Sequence, residues 1–105
     1  MPDDAGVARP ISNKLKRQTK TLAGALGAVV TSLRVERQWS QRRLAERSGY
    51  EASSISRIER GKANPTMALL IVMADVFHLR PSQLLARAER KYLKGRPERH
   101  DSKTK

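Results

Sequence analysis

A chain of 105 residues with 22 lysines and arginines against 10 acidic residues has a net charge of +12. This length suits one small domain with tails. The charge favours a negatively charged partner, which could be nucleic acid, an anionic membrane surface or an acidic protein. The alternative is that the excess charge only maintains solubility, and it is the less favoured interpretation. The sequence has no cysteine for disulfides or thiolate metal sites, and its two histidines are too far apart to suggest a metal or cofactor. It has no apolar run near the ~20 residues of a membrane span and no signal peptide. We therefore expect a soluble, cytoplasmic protein without cofactors.

The N-terminal region, residues 1–21, is basic and mixes proline, glycine, aspartate and small side chains without periodicity, a composition typical of disorder. Apolar residues at steps of three and four then predict a first helix from Leu22 to Gln38. Its stripe consists of Leu22, Leu26, Val29, Val30 and Leu33. Gly24 and Gly27 each weaken this helix by up to ~1 kcal/mol relative to alanine. Trp39 lies just beyond its end and is expected to pack under the next helix, not to bind a ligand.

Two short helices joined by a tight turn follow, from Ser40 to Gly61. Ser40 is a suitable N-cap for the second helix, and Gly49 lies where a sharp turn calls for a positive φ. Ile55 and Ile58 recur at helical spacing on the third helix, which Gly61 closes. Two helices this short bury too little apolar surface alone, so they require neighbours on both sides.

Arg42 and Arg43 occupy the first turn of the second helix, where each exposed cation is unfavourable by roughly 0.3–1 kcal/mol. That local cost is explained if the two arginines face phosphate groups. The alternative is that both are only solvated, and the sequence does not choose between these readings.

Thr66 can cap a fourth helix that extends to about Phe77, and Pro81 begins a fifth. The predicted core face of the fourth helix consists of Met67, Leu70, Ile71, Met73, Ala74 and Phe77. A second stripe, formed by Leu69, Val72 and Val76, makes this helix apolar nearly all round, so we expect the N-terminal extension or a second subunit to cover it. Leu84 and Leu85 are expected to pack inward. Residues 87–105 are predicted to be a basic disordered tail.

Apolar, small and glycine positions in this region are in register with the helix-turn-helix pattern of phage repressor and Cro-type DNA-binding domains. The matching residues are Gln41, Leu44, Ala45, Gly49, Ile55, Ser56, Glu59, Gly61, Asn64, Pro65, Leu84 and Leu85. The chain resembles that family from about residue 26 to residue 85. The resemblance implies an all-α, five-helix repressor-like domain at residues 22–86, with its helix-turn-helix motif at residues 41–60.

The resemblance also implies that the third helix enters the major groove of DNA. Base contacts would come from Ala52, Ser53, Ser56 and Arg57, and phosphate contacts from Gln41, Arg42, Arg43, Arg60 and Lys62. Among these residues only Arg57 can form a bidentate contact with guanine O6 and N7. The alternative role of Arg57 is a surface salt bridge with Glu51 or Asp75. Arg34 and Glu59 match family positions that form an ion pair between the first and third helices.

These features favour a homodimeric transcriptional regulator that binds double-stranded DNA in a sequence-specific manner. No Gly-rich phosphate loop and no nucleophile–base arrangement is visible, so we do not expect an enzyme. The alternative is a protein-interaction adaptor or an antitoxin-type module with the same fold and a protein partner. Small polar residues on the third helix favour base edges over an apolar docking surface.

Overall fold

The computed structural model describes residues 21–94, which form five α-helices and, within that range, no strand. The helices are α1 (Leu22–Glu36), α2 (Gln41–Ser48), α3 (Ala52–Glu59), α4 (Met67–Val76) and α5 (Pro81–Lys94). The predicted all-α, five-helix fold is thereby confirmed, although α1 ends two residues earlier than predicted. Residues 1–20 of the predicted extension and residues 95–105 of the predicted tail lie outside the described residues. In the described part of the chain no single helix is long and apolar enough to cross a membrane; only α4 and α5 taken together, across a bend of 102°, reach that length and apolarity.

Short local signals determine where several helices begin and end. The capping residues of α1, α2 and α4 are Thr21, Ser40 and Thr66, whose hydroxyls accept backbone N–H bonds of 2.9, 3.0 and 3.0 Å. Each hydroxyl satisfies an amide that has no partner within its own helix. After α2 and α3 the chain turns at Gly49 and Gly61, with φ of 84° and 74°, a left-handed conformation that glycine adopts without a Cβ clash.

One hydrophobic core joins all five helices. Its largest fully buried side chains are Phe77, Leu44, Ile55, Met73, Leu84 and Val30. α1 packs against α3 and α5, α2 packs against α3 and α4, and α4 packs against α5. Because α2 and α3 have only eight residues each, below the ~12–15 at which isolated helices become stable, this core holds them in place.

The predicted buried side of α4 is partly wrong. Met67 and Ile71 are 72% and 50% exposed, whereas Leu69, which was assigned to the outer stripe, is only 5% exposed. Val76 packs against the core and Val72 is half-buried, so the predicted second stripe is largely covered by the chain itself. A helix that is apolar nearly all round carries no amphipathic pattern from which its buried side can be chosen.

Two further predictions need correction. Leu22 and Leu85 are 39% and 42% exposed and do not pack fully inward. α5 continues to Lys94, so residues 87–94 are helical and not part of a disordered tail. Ala88, which is 0% exposed, holds this extra length against the core, and a single small residue is too weak a signal to predict that contact from sequence.

Candidate nucleic-acid interface

α3 has one buried side and one exposed side. Ile55 and Ile58, 0% and 6% exposed, project into the core, whereas Ala52, Ser53 and Arg57 are exposed. Helical spacing of three and four residues places each set on its own face. The exposed face therefore carries two small side chains and one long cation.

A hydrogen-bond network holds the C-terminal end of α3 against α1 and the start of α2. Nε and Nη2 of Arg34 donate to the two carboxylate oxygens of Glu59 at 2.7 and 3.1 Å, the bidentate geometry of strong arginine–carboxylate pairs. Nη1 of Arg34 donates to the carbonyl oxygen of Trp39 at 2.7 Å, and Nε2 of Gln41 donates to Oε1 of Glu59 at 3.0 Å. The side chains of Arg34 and Glu59 are 15% and 5% exposed, so the expected ion pair is present and largely buried.

Gly27 allows α1 to approach α3 closely. A Cβ atom at this position would lie 2.3 Å from the carbonyl oxygen of Ile58 and 2.7 Å from that of Glu59. Both distances are shorter than van der Waals contact with backbone, so only glycine fits here. The sequence indicated only the propensity cost of Gly27, because its contact with α3 depends on tertiary packing.

Trp39 fixes the segment that leads into α2. Its ring stacks on that of Phe77 at a centroid distance of 5.8 Å, and the guanidinium of Arg47 lies 4.5 Å from the Trp39 ring centroid, within the range of cation–π attraction. Nη2 of Arg37 donates to the carbonyl oxygen of Phe77 at 3.3 Å. The packing role of Trp39 was expected, but the contacts of the two arginines with these rings were not predicted. Arg37 and Phe77 are 40 residues apart, and no periodic pattern links either arginine to its ring.

The residues predicted to contact bases are Ala52, Ser53, Ser56 and Arg57, all exposed except for the half-buried Ser56. Nη2 of Arg57 donates to the carbonyl oxygen of Lys62 at 3.4 Å, a distance beyond the usual range of N–H···O bonds. Among the ion pairs within residues 21–94, none joins Arg57 to Glu51 or Asp75. Arg57 is therefore held only weakly, at the edge of the exposed α3 face.

The residues predicted to contact phosphate lie at the start of α2 and just after α3. They are Gln41, Arg42, Arg43, Arg60 and Lys62, all exposed except for the half-buried Gln41. Because its amide donates to Glu59, Gln41 retains one of its two N–H donors for other partners. Arg43 lies 3.9 Å from Glu46, an exposed pair that contributes at most about 1 kcal/mol. Nε of Arg60 donates to the carbonyl oxygen of Ser56 at 3.3 Å.

Glu51 precedes α3 and its side chain forms no capping hydrogen bond. Its exposed carboxylate lies at the positive end of the helix dipole, which is favourable. Within residues 21–94, no three His, Cys, Asp or Glu side chains are grouped so that they could hold a metal ion. Hydrogen-bonding and cationic side chains are exposed on this surface, namely Ser53, Arg57, Arg42, Arg43, Arg60 and Lys62.

Residues 25–88 match the model of a family described as a helix-turn-helix domain. Two crystal structures of the clp gene regulator ClgR from Corynebacterium glutamicum are similar to this chain, each with 28% sequence identity and a TM-score of 0.63. The alignment covers 69% of this chain in both cases, and 77% of one ClgR chain and 92% of the other. No curated protein sequence matches significantly.

Proposed function

Because this chain belongs to the helix-turn-helix domain family, we propose that it is a transcriptional regulator that binds double-stranded DNA sequence-specifically, in the manner of phage repressor and Cro-type proteins. α3 acts as the recognition helix and lies in the major groove. The observation that carries this proposal is the division of α3 into an exposed face of small and cationic side chains and an opposite face bonded to α1.

The small side chains of α3 suit close approach to base edges. Ala52 offers a methyl group to the methyl of thymine, and the Ser53 hydroxyl can donate or accept a hydrogen bond. Arg57 supplies the directional contact, a bidentate pair of hydrogen bonds to guanine that contributes ~1–3 kcal/mol of discrimination against other bases. Its bond to the carbonyl of Lys62, at 3.4 Å, is weak enough to be exchanged for the guanine contact.

Cations on both sides of α3 provide affinity without sequence preference. Arg42 and Arg43 at the start of α2, and Arg60 and Lys62 after α3, are all exposed and can neutralise phosphates on either side of the groove. Such contacts set the register of the helix on the duplex. They also make the affinity fall steeply with salt, because bound phosphates release their counterions.

The similar ClgR structures are those of a gene regulator, which supports transcriptional control as the consequence of DNA binding here. Occupancy of a promoter or operator would block or recruit polymerase. A cytoplasmic location and the absence of catalytic activity are part of this proposal, since the regulator acts where its DNA lies and needs no chemistry to do so.

We further propose that the protein binds DNA as a homodimer, the usual arrangement for paired half-sites. Met67 and Ile71 lie one turn apart on α4 and are 72% and 50% exposed. A two-fold contact would cover these apolar side chains. This surface takes the place of the predicted Leu69–Val72–Val76 stripe, whose first residue is buried in the core.

Selection of bound duplexes from a random pool tests the proposal directly. Wild-type protein is expected to enrich an inverted repeat. Arg57→Ala should relax the preference at one or two base pairs of each half-site and keep much of the non-specific affinity. Arg43→Ala should weaken binding to all sequences alike and reduce the salt slope by about one unit. No enrichment of any sequence by the folded wild-type protein would refute sequence-specific recognition.

The adaptor alternative is distinguished by a salt titration of whichever complex forms. Affinity for DNA is expected to fall steeply as salt increases, whereas an apolar protein interface would respond little. If Arg57→Ala instead lowered DNA affinity uniformly with no change in base preference, Arg57 would be a phosphate contact. Base reading would then have to come from Ser53 and from the Glu51 carboxylate, which can accept a hydrogen bond from the N4 amine of cytosine.

A further inference from the structure

A second cationic surface lies in a cleft between α1 and α5. The cleft has a volume of about 260 Å³. Its apolar floor is formed by Val29 and Leu33 of α1, which are 5% and 3% exposed. Four cations of α5 line one side, namely Arg87, Arg90, Lys91 and Lys94. Glu36 of α1 lies on the other side.

These four cations form one continuous row. Their positions, i, i+3, i+4 and i+7, place them on one face of the helix over a length of about 10 Å. Among the ion pairs within residues 21–94, none engages any of the four. Glu36, across the cleft, is the one carboxylate among the lining residues. It offsets the mutual repulsion of four cations only in part, and an anionic ligand would relieve the rest.

The cleft lies on the side of α1 opposite to α3. At about 100° per residue, Gly27 and Arg34, which contact α3, share one side of α1. The lining residues Val29, Leu33 and Glu36 centre on the reverse side. A duplex held by the exposed face of α3 is thus separated from the cleft by both α3 and α1, and the row of cations serves some other partner.

We propose that this cleft binds an acidic segment of a partner protein, with an apolar side chain against Val29 and Leu33 and flanking carboxylates against the α5 cations. Arginine pairs bidentately with carboxylates. An apolar side chain of the segment would itself leave water on entering the cleft, where it meets the almost fully buried Val29 and Leu33.

Other partners fit these features less well. A second duplex is too wide and rigid to reach the floor of a cleft of about 260 Å³, and phosphates gain nothing from apolar surface. In a two-fold contact centred on the cleft, each cationic row would lie beside its own equivalent and repel it.

The test measures fluorescence anisotropy of the full chain with a labelled short peptide in which one leucine is flanked by Asp and Glu. Two matched peptides replace the acids with Asn and Gln, or the leucine with Ser. Wild type should bind the acidic, leucine-containing peptide in preference to both. Arg90→Glu with Lys91→Glu should weaken that binding by roughly tenfold or more. Arg42→Glu with Arg43→Glu, an equal change of charge beside α3, should leave it nearly unchanged.

Several outcomes would overturn the proposal. Equal losses in both charge-reversed variants would indicate general attraction, and equal affinity for the serine peptide would show that the floor takes no part. If the α5 variant binds the peptide like wild type but takes up less of a second duplex, the surface belongs to nucleic acid. If it binds the peptide like wild type but changes its oligomeric state, the surface belongs to a contact with another copy. Arg90→Gln with Lys91→Gln keeps the test informative if charge reversal impairs folding, which thermal melting would reveal. The peptide measurement itself uses no DNA, so its outcome is independent of the proposed regulator function.

Discussion

Replacement of Glu59 by alanine is the sharpest test of how α3 is held. The substitution removes both acceptors of the Arg34 guanidinium, at 2.7 and 3.1 Å, and the acceptor of the Gln41 amide at 3.0 Å. Arg34 would remain largely inside the protein, with its side chain only 15% exposed. Within residues 21–94, its charge would keep one hydrogen-bond acceptor, the carbonyl oxygen of Trp39.

Removal of one partner of a buried pair typically destabilises a protein by about 3–5 kcal/mol. Because Arg34 retains some solvent contact, we expect the lower end, about 3 kcal/mol. That is a large share of the ~5–15 kcal/mol by which small domains are stable. For a domain of this size it corresponds to a fall in melting temperature of roughly 12 °C or more.

Circular dichroism at increasing temperature and urea concentration measures this effect. Glu46→Ala is the matched control, since Glu46 forms only an exposed pair with Arg43 at 3.9 Å and should change stability by at most about 1 kcal/mol. Replacement of Arg34 and Glu59 together by methionine and leucine should recover much of the loss, because two apolar groups leave no buried charge. A Glu59→Ala protein that melts within a degree or two of wild type would refute the reasoning.

Four further predictions concern local structure and assembly. Gly27→Ala should destabilise the domain by about 1–3 kcal/mol through overlap with the backbone of α3. In an exposed helix the same change would stabilise the helix by up to ~1 kcal/mol, so a raised melting temperature would contradict the close approach of α1 to α3. Gly49→Ala, which meets no atom within 4 Å, should lose only the ~1–2 kcal/mol of a left-handed alanine, as measured by urea unfolding. Ser40→Ala should lose the cap of α2 and about 1 kcal/mol, again by urea unfolding. Ile71→Glu should leave monomer stability nearly unchanged, because the side chain is 50% exposed, but should dissociate the proposed homodimer in sedimentation experiments; a dimer that persists would place the interface elsewhere.

Much of the helical layout could be predicted because its signals are local. Ser40 and Thr66 accept bonds from amides three residues ahead, and Gly49 and Gly61 take the positive φ that ends a short helix. Each such interaction lies within one or two turns of the chain, so residue type and spacing suffice to locate it. The pairing of Arg34 with Glu59 spans 25 residues and was expected only from the family resemblance.

The candidate site was predicted in part for the same reason. The exposed positions of Ala52, Ser53 and Arg57 follow from the helical period of α3, since Ile55 and Ile58 identify its buried side. The half-burial of Gln41 and its bond to Glu59 do not follow, because that bond requires α2 and α3 to be packed before the two side chains can meet.

The sequence by itself determined the number of helices, the turn between α2 and α3 and the polarity of the α3 surface, because these depend on caps, glycines and periodicity within a few residues. Only the tertiary structure decided which side of α4 is buried, with Leu69 inside and Met67 outside. A helix that is apolar nearly all round buries similar apolar surface in several orientations, and its neighbours select one of them. Tertiary packing likewise extended α5 to Lys94 through Ala88, and it made Gly27 the point of contact between α1 and α3. Those outcomes depend on distances between segments that lie far apart in the chain, which no local pattern encodes.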